Sequence, residues 1–210
     1  MSGSGTNLQA IIDAIEAKKL DAKIEIVLSN RADAYGLTRA KNHGISCEML
    51  DHNNFSNREA FDQAVVDILH GRSVELVVLA GFMRLLSPVF VKAYSNRIMN
   101  IHPALLPAFP GLHVQKKALE YGVRFSGCTV HFVNEECDQG PIIIQAVVPV
   151  FPDDTEETLS ARILAQEHRI YPQAIQLYAQ DRLRIEGRRV LVRDLVKDEE
   201  QVLFQPALDE

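Results

Sequence analysis

The residues best placed to do chemistry lie in the stretch 98–113, IMNIHPALLPAFPGLH. Asn100 and His102 stand one residue apart within a short apolar run of Ile98, Met99 and Ile101. A strand alternates its faces, so the two polar side chains share one. Pro103 cannot donate to a ladder and ends the strand directly after His102. Pro107, Pro110 and Gly111 then impose a stiff, irregular loop. A carboxamide and an imidazole side by side at a strand end can act on a carbonyl: the amide donates to a developing oxyanion, and the imidazole assists it or moves a proton. The same pair can also be no more than two hydrogen-bonding partners at the end of a sheet.

A second polar segment strengthens the chemical reading. Residues 127–145 read GCTVHFVNEECDQGPIIIQ. Thr129, His131 and Val133 share one face of a strand, and Asp138 sits in a tight loop bounded by Gly140 and Pro141. A carboxylate close to an imidazole stabilises the imidazolium or orients a water that carries protons. Taken alone, Asp138 reads more simply as the cap of an Asx turn.

The chain that must position these groups has 210 residues, 47% hydrophobic and 24% charged, the composition of an ordinary soluble globular protein with one sizeable core or two small ones. No apolar run approaches the roughly 18 residues needed to span a bilayer, and no charged-then-apolar leader opens the chain, so a cytoplasmic protein without a membrane partner is expected. Three cysteines without a CxxC pair point to a reducing compartment and away from a disulfide framework or a zinc site. A net charge of −6 speaks against nucleic acid as a partner. An anionic small substrate would need a local positive device such as a helix N-terminus.

Such a device is present at the start. Gly3 and Gly5 precede Leu8, Ile11, Ile12 and Ile15, which fall on one helical face, with Thr6 or Asn7 as the N-cap. A glycine turn opening a helix converges N–H groups on a phosphate, although Gly-Ser-Gly also suits a loose terminus. Such a loop normally follows a buried strand of about 5–6 residues, and only residues 1–4 precede Gly5. The first strand is therefore expected to be missing, baring apolar surface on both of its neighbours. Either the natural chain starts several residues earlier, or this form is less stable than its relatives.

Strands over 23–28, 46–50 and 74–80 alternate with helices over 34–43, 57–70 and 88–94, the pattern of a doubly wound, mostly parallel α/β sheet. Ligands of such sheets bind at the C-terminal ends of the strands, where the glycine loop, residues 81–86 and the Asn100–His102 pair all fall. A helix over 114–121 and a hairpin of strands over 125–134 and 142–150 make the later sheet mixed. A long helix over 155–179 contains Pro172, which should bend it or end its first segment. Beyond Asp181 come short alternating segments and an acidic end at 198–200, read as a solvated tail or edge hairpin. Without repeats or linkers, 1–210 reads as a single domain.

NIHPALLPAFPGLH, followed by a hairpin carrying TVHFV and DQGPIIIQ, resembles the folate-dependent formyltransferases. SGSGTNLQAI, SNRADAYGLTRA, LAGFMRLLSP and QEHRIYP extend the resemblance, in order, over nearly the whole chain. It implies a Rossmann-like formyltransferase fold, with a nucleotide-phosphate half over about 1–95, a catalytic and folate half over about 96–180 and a C-terminal extension over 181–210. It implies 10-formyltetrahydrofolate as cosubstrate, the amine of glycinamide ribonucleotide as acceptor in purine synthesis, and no metal. Asn100, His102 and Asp138 would be the catalytic trio, with His131 supporting them. Gly5, Thr6 and Asn7 would hold the ribonucleotide phosphate, and Glu167 its ribose or glycinamide part. Met83, Arg84, Leu85 and Leu86, with Asn100 and the loop Asn134, Glu135, Glu136, Cys137 and Asp138, would line the pterin pocket, and Arg58 would face the folate's glutamate tail.

Without the resemblance, Arg58 and Glu167 read as solvated helix residues and Met83 as core. Ala104 and Leu164 depart from the family, which commonly has Ser at the first and a polar or basic residue at the second. A 10-formyltetrahydrofolate hydrolase with the same trio is the nearest rival, opposed by a phosphate loop that calls for a phosphorylated acceptor. A formyltransferase acting on tRNA fits a short acidic chain poorly. An inactive folate-binding protein is the alternative from another class. The state is expected to be monomer or homodimer.

Overall fold

Gly5 turns the chain into its first helix. In the computed structural model, which describes residues 3–195, 203 and 205, Gly5 takes φ 70°, a left-handed conformation with no steric cost for glycine. Helix α1 (Thr6–Glu16) follows at once, so Gly5 itself is the N-cap and neither Thr6 nor Asn7 makes a side-chain cap. Leu8, Ile11 and Ile12 are its buried stripe.

The order is then β1 (Val27–Ser29), α2 (Tyr35–Asn42), β2 (Cys47–Met49), a single 3-10 turn, α3 (Arg58–Gly71), β3 (Val77–Leu79), α4 (Pro88–Ala93), β4 (Ile98–His102), α5 (Val114–Tyr121), β5 (Phe125–Phe132), β6 (Ile142–Pro149), α6 (Glu156–Ala179), β7 (Leu183–Glu186) and β8 (Arg189–Val192). The alternation matches the α/β expectation. β1/β2 and β3/β4 pair in parallel, while β4/β5 and β5/β6 are antiparallel, so the sheet becomes mixed where the hairpin begins.

The expected break in the sheet is present. Among the described residues β1 pairs only with β2, and β3 begins a separate sheet of order β3-β4-β5-β6-β8-β7. Between β1 and β3 lies an apolar cavity of about 460 Å³, walled by Ile24, Ile26, Leu76 and Val78 and by Leu8 and Ile11 of α1. β1, β2 and β3 are each three residues long, against the five or more expected, because a regular strand is held by the ladder beside it.

The main core lies between the six-stranded sheet and the helices α1 and α6. Met99, Val130, Phe132, Tyr171 and Ile175 belong to it, all buried. Helix α6 opens with a reciprocal cap, Thr158 N–H donating to Thr155 Oγ1 and Thr155 N–H to Thr158 Oγ1. Of the two expected effects of Pro172, a bend or an end, the end does not occur: Pro172 lies inside one continuous helix. A mid-helix proline costs about 3 kcal/mol. Tyr171, Ala174, Ile175 and Leu177 around it are buried, and burying each large apolar side chain returns about 1.5–3 kcal/mol, so packing outweighs the defect. The segment after Asp181 is the edge hairpin β7/β8, joined to the sheet by Ile142 opposite Arg189; the acidic residues 198–200 lie outside the described residues. No helix among the described residues is long and apolar enough to cross a membrane.

Candidate active site

Strand β4 ends on His102, and its antiparallel partner β5 sets Asn100 opposite His131 and His102 opposite Thr129. Four polar side chains thus meet as two cross-strand pairs on one face. The register of β5 against β6 shifts between Val130 and His131, an irregularity that re-aims side chains beside the site.

The hydrogen bonds define what each group can do. The Phe132 carbonyl, which can only accept, lies 2.9 Å from His131 Nδ1, so the proton sits there and Nε2 is the acceptor. Asn100 Nδ2 donates to that Nε2 at 3.2 Å. Burial pushes the His131 pKa down, outweighing the opposite pull of the Phe132 carbonyl and Asp138, and so favours the neutral ring. His131 therefore fixes which end of the Asn100 carboxamide is the donor. His102 is buried and donates from Nε2 to the Phe109 carbonyl at 2.9 Å.

Asp138 lies between the two imidazoles. Its Oδ2 lies 3.5 Å from His102 Nδ1 and its Oδ1 3.9 Å from His131 Nε2. The same Oδ2 accepts from Gly111 N–H at 2.9 Å and from the Cys137 thiol at 3.4 Å. Asp138 has φ 53°, a left-handed backbone that costs a non-glycine residue about 1–2 kcal/mol; the contacts of its carboxylate offset that cost. Gly140 lets the loop return past β5, since a Cβ there would stand 1.7 Å from the Phe132 carbonyl oxygen.

A second cluster lies at the N-terminus of α1. Asn7 Nδ2 donates to Glu167 Oε2 at 2.7 Å, joining the two groups expected at the acceptor from opposite ends of the chain. The Asn7 Oδ1 is buried without a protein partner. Burial raises the Glu167 pKa against the lowering effect of Asn7. Gly5 and Thr6 flank this pair at the helix start.

The remaining predicted residues divide. Met83 and Leu85 are exposed apolar side chains, 71% and 60% accessible. Arg84 lies over the Phe61 ring at 5.4 Å, and Arg58 occupies the first turn of the same helix α3, beside Glu59 at 3.7 Å. Leu86 instead packs against the cluster of Phe90, Tyr94 and Ile98. Asn134 Oδ1 accepts from Glu136 N–H and closes the turn, leaving Glu135, Glu136 and Cys137 exposed. Sequence reasoning missed Phe109 and Gly111, whose backbone groups contact His102 and Asp138. It also missed Arg39, whose Nε donates to the Ser4 carbonyl of the glycine loop at 2.9 Å. Its place within SNRADAYGLTRA was the available signal.

Residues 1–175 match the family described as formyl transferase. The chain belongs to the formyl transferase family. The phosphoribosylglycinamide formyltransferase of Escherichia coli (strain K12) is 46% identical over 206 residues, 95% of this chain and 97% of that protein. The trifunctional purine biosynthetic protein adenosine-3 of Gallus gallus is 50% identical over 179 residues, 85% of this chain and 18% of that protein. The crystal structure of glycinamide ribonucleotide transformylase 1 from Symbiobacterium toebii superposes with a TM-score of 0.91 at 54% identity, covering 92% of each chain. Within this formyl transferase the Asn100, His102 and Asp138 cluster lies apart from the large cavity between β1 and β3, which none of the three lines.

Proposed function

We propose that this formyl transferase moves the formyl group of 10-formyltetrahydrofolate to the primary amine of glycinamide ribonucleotide, a step of purine synthesis, with Asn100, His102 and Asp138 acting at the formyl carbon. The observation that carries this reading is the Asp138 carboxylate, set between His102 and the His131 that orients Asn100. The names of the similar proteins from E. coli, G. gallus and S. toebii support the substrates.

The amine attacks the formyl carbon, and the carbonyl oxygen gains a negative charge in the tetrahedral intermediate. Asn100 Nδ2 donates one hydrogen to His131 and has a second for that oxygen. His102 faces an acceptor at each ring nitrogen, the Phe109 carbonyl and Asp138, and in its cationic form adds electrostatic stabilisation. The attacking amine must lose a proton and N10 of the folate must gain one as the C–N bond breaks. Asp138 is the group placed to pass it, through one bridging water.

The acceptor phosphate sits at Gly5, Thr6 and Asn7. The first N–H groups of α1 have no partner within the helix there, and the helix dipole favours an anion. Glu167 takes the ribose or glycinamide part. The pterin lies between Met83–Leu85 and the loop over 134–138, and Arg58 with Arg84 attracts the anionic tail. The whole of 1–210 works as one unit, in the cytoplasm, on small molecules alone.

Mixing the protein with 10-formyltetrahydrofolate, with and without glycinamide ribonucleotide, tests this reading. Acceptor-dependent release of free folate is the expected result. Release without acceptor would make the protein a hydrolase, and no release would make it a binding protein.

A further inference from the structure

We propose that Thr129 and Gln145 are positioning residues that hold His102 and Asp138 in register by clamping the turn between them. The proposal rests on the formyl-transfer reading and adds two residues to it. β4, β5 and β6 lie side by side, and their registers set His102 opposite Thr129 and Thr129 opposite Gln145. One row of the sheet thus carries three polar side chains.

The bonds of the last two converge on the turn that follows His102. Thr129 Oγ1 donates to the Ala104 carbonyl at 2.7 Å and accepts from Leu106 N–H at 3.1 Å. Gln145 Nε2 donates to the Leu106 carbonyl at 2.9 Å and to Thr129 Oγ1 at 3.0 Å. Thr129, Ala104 and Leu106 are all buried, where an unpaired backbone group is costly. The turn lies outside every helix and strand, so side chains supply the bonds a ladder would otherwise supply. At Gly127 a Cβ would come within 2.8 Å of Leu105 Cδ2, so the turn also rests closely on β5.

What the clamp holds is the path to two backbone contacts of the site. Three residues past Leu106, the Phe109 carbonyl accepts from His102 Nε2. Five residues past it, Gly111 N–H donates to Asp138. Both depend on where the turn at 104–106 delivers the chain. Neither Thr129 nor Gln145 contacts the α1 N-terminus, Glu167 or Arg58 in any of these bonds. Loosening the clamp should therefore disturb chemistry and leave binding of the ribonucleotide alone.

The test compares Thr129→Val, Thr129→Ser and Gln145→Leu with the unaltered protein in the acceptor-dependent assay, with hydrogen exchange at Leu106. A misplacement of about 1 Å can cost about 10²-fold in rate. Val and Leu variants are expected to lose about 10- to 10²-fold in kcat, with KM for the ribonucleotide within about twofold. Their pH–rate profiles should shift and Leu106 should lose exchange protection, while Ser restores kcat. Should Thr129→Val fail to fold, Gln145→Leu carries the test alone. Unchanged kcat with lost Leu106 protection, or a rise in the ribonucleotide KM that accounts for the whole loss, overturns the clamp. Absence of activity in the unaltered protein would sink the formyl-transfer reading instead, and the exchange data would then report on the turn alone.

Discussion

Asn7 donates to the Glu167 carboxylate at 2.7 Å across 160 residues of chain. The bond ties the start of α1 to the middle of α6, and it places a buried carboxyl beside the helix N-terminus proposed to take the acceptor. Burial raises the pKa of that carboxyl above its ordinary 4.5. A carboxyl with a raised folded-state pKa holds its proton more tightly folded than unfolded. Its stabilising contribution is thus complete below about 4.5 and is lost as pH rises through the raised value. Thermal melts between pH 4 and 8 should show that decline in the unaltered protein and a flatter profile in Glu167→Gln, along with a higher KM for the ribonucleotide. Parallel pH profiles would remove Glu167 as the source.

Asn100→Ala removes the proposed oxyanion donor. A loss of about 10²–10³ in kcat is expected, with the fold intact in circular dichroism. The variant leaves the buried His131 Nε2 without its donor, so stability should fall by about 1–3 kcal/mol in denaturant titrations. Near-normal turnover would take Asn100 out of the mechanism.

His131 bears on Asn100 through its neutral ring. Its pKa is held below 6.5 chiefly by burial, so the unfolded chain takes up a proton before the folded one. Stability should fall as pH drops below about 6.5 toward the lowered value. Protonation also converts Nε2 to a donor facing the Asn100 amide donor. His131→Gln should lack this acid-side decline when unfolding is followed from pH 7.5 to 5; an unaltered decline would assign it to another group.

Gly140 is required by space rather than by backbone angle. Adding a Cβ 1.7 Å from the Phe132 carbonyl oxygen forces the loop away from β5, and Asp138 with it. Gly140→Ala should fold and bind the ribonucleotide, yet lose at least about 10-fold in kcat. Steady-state kinetics beside ribonucleotide titration separate the two effects, and full activity would show that the loop adapts without moving the carboxylate.

Much of this protein follows from local pattern. The face shared by Asn100 and His102 comes from strand alternation and a terminating proline, and α5 covers the expected 114–121, closed by Gly122 in a left-handed conformation. The glycine loop before α1 implied a strand beside β1, and the break in the sheet lies there. These are short-range effects of periodicity, caps and backbone stereochemistry, which each segment carries with it. Other features belong to the tertiary structure alone. α6 runs through Pro172 because its flanking residues are buried. β1 and β3 are short because neither has a described ladder on its second side. The Asp138 carboxylate meets His102, Asn7 meets Glu167, and Thr129 with Gln145 grips the turn at 104–106 through the registers of three strands and the paths of two loops. Such contacts form between residues distant in the chain, and the free energy that selects them comes from packing the whole sheet against its helices, which no single stretch encodes.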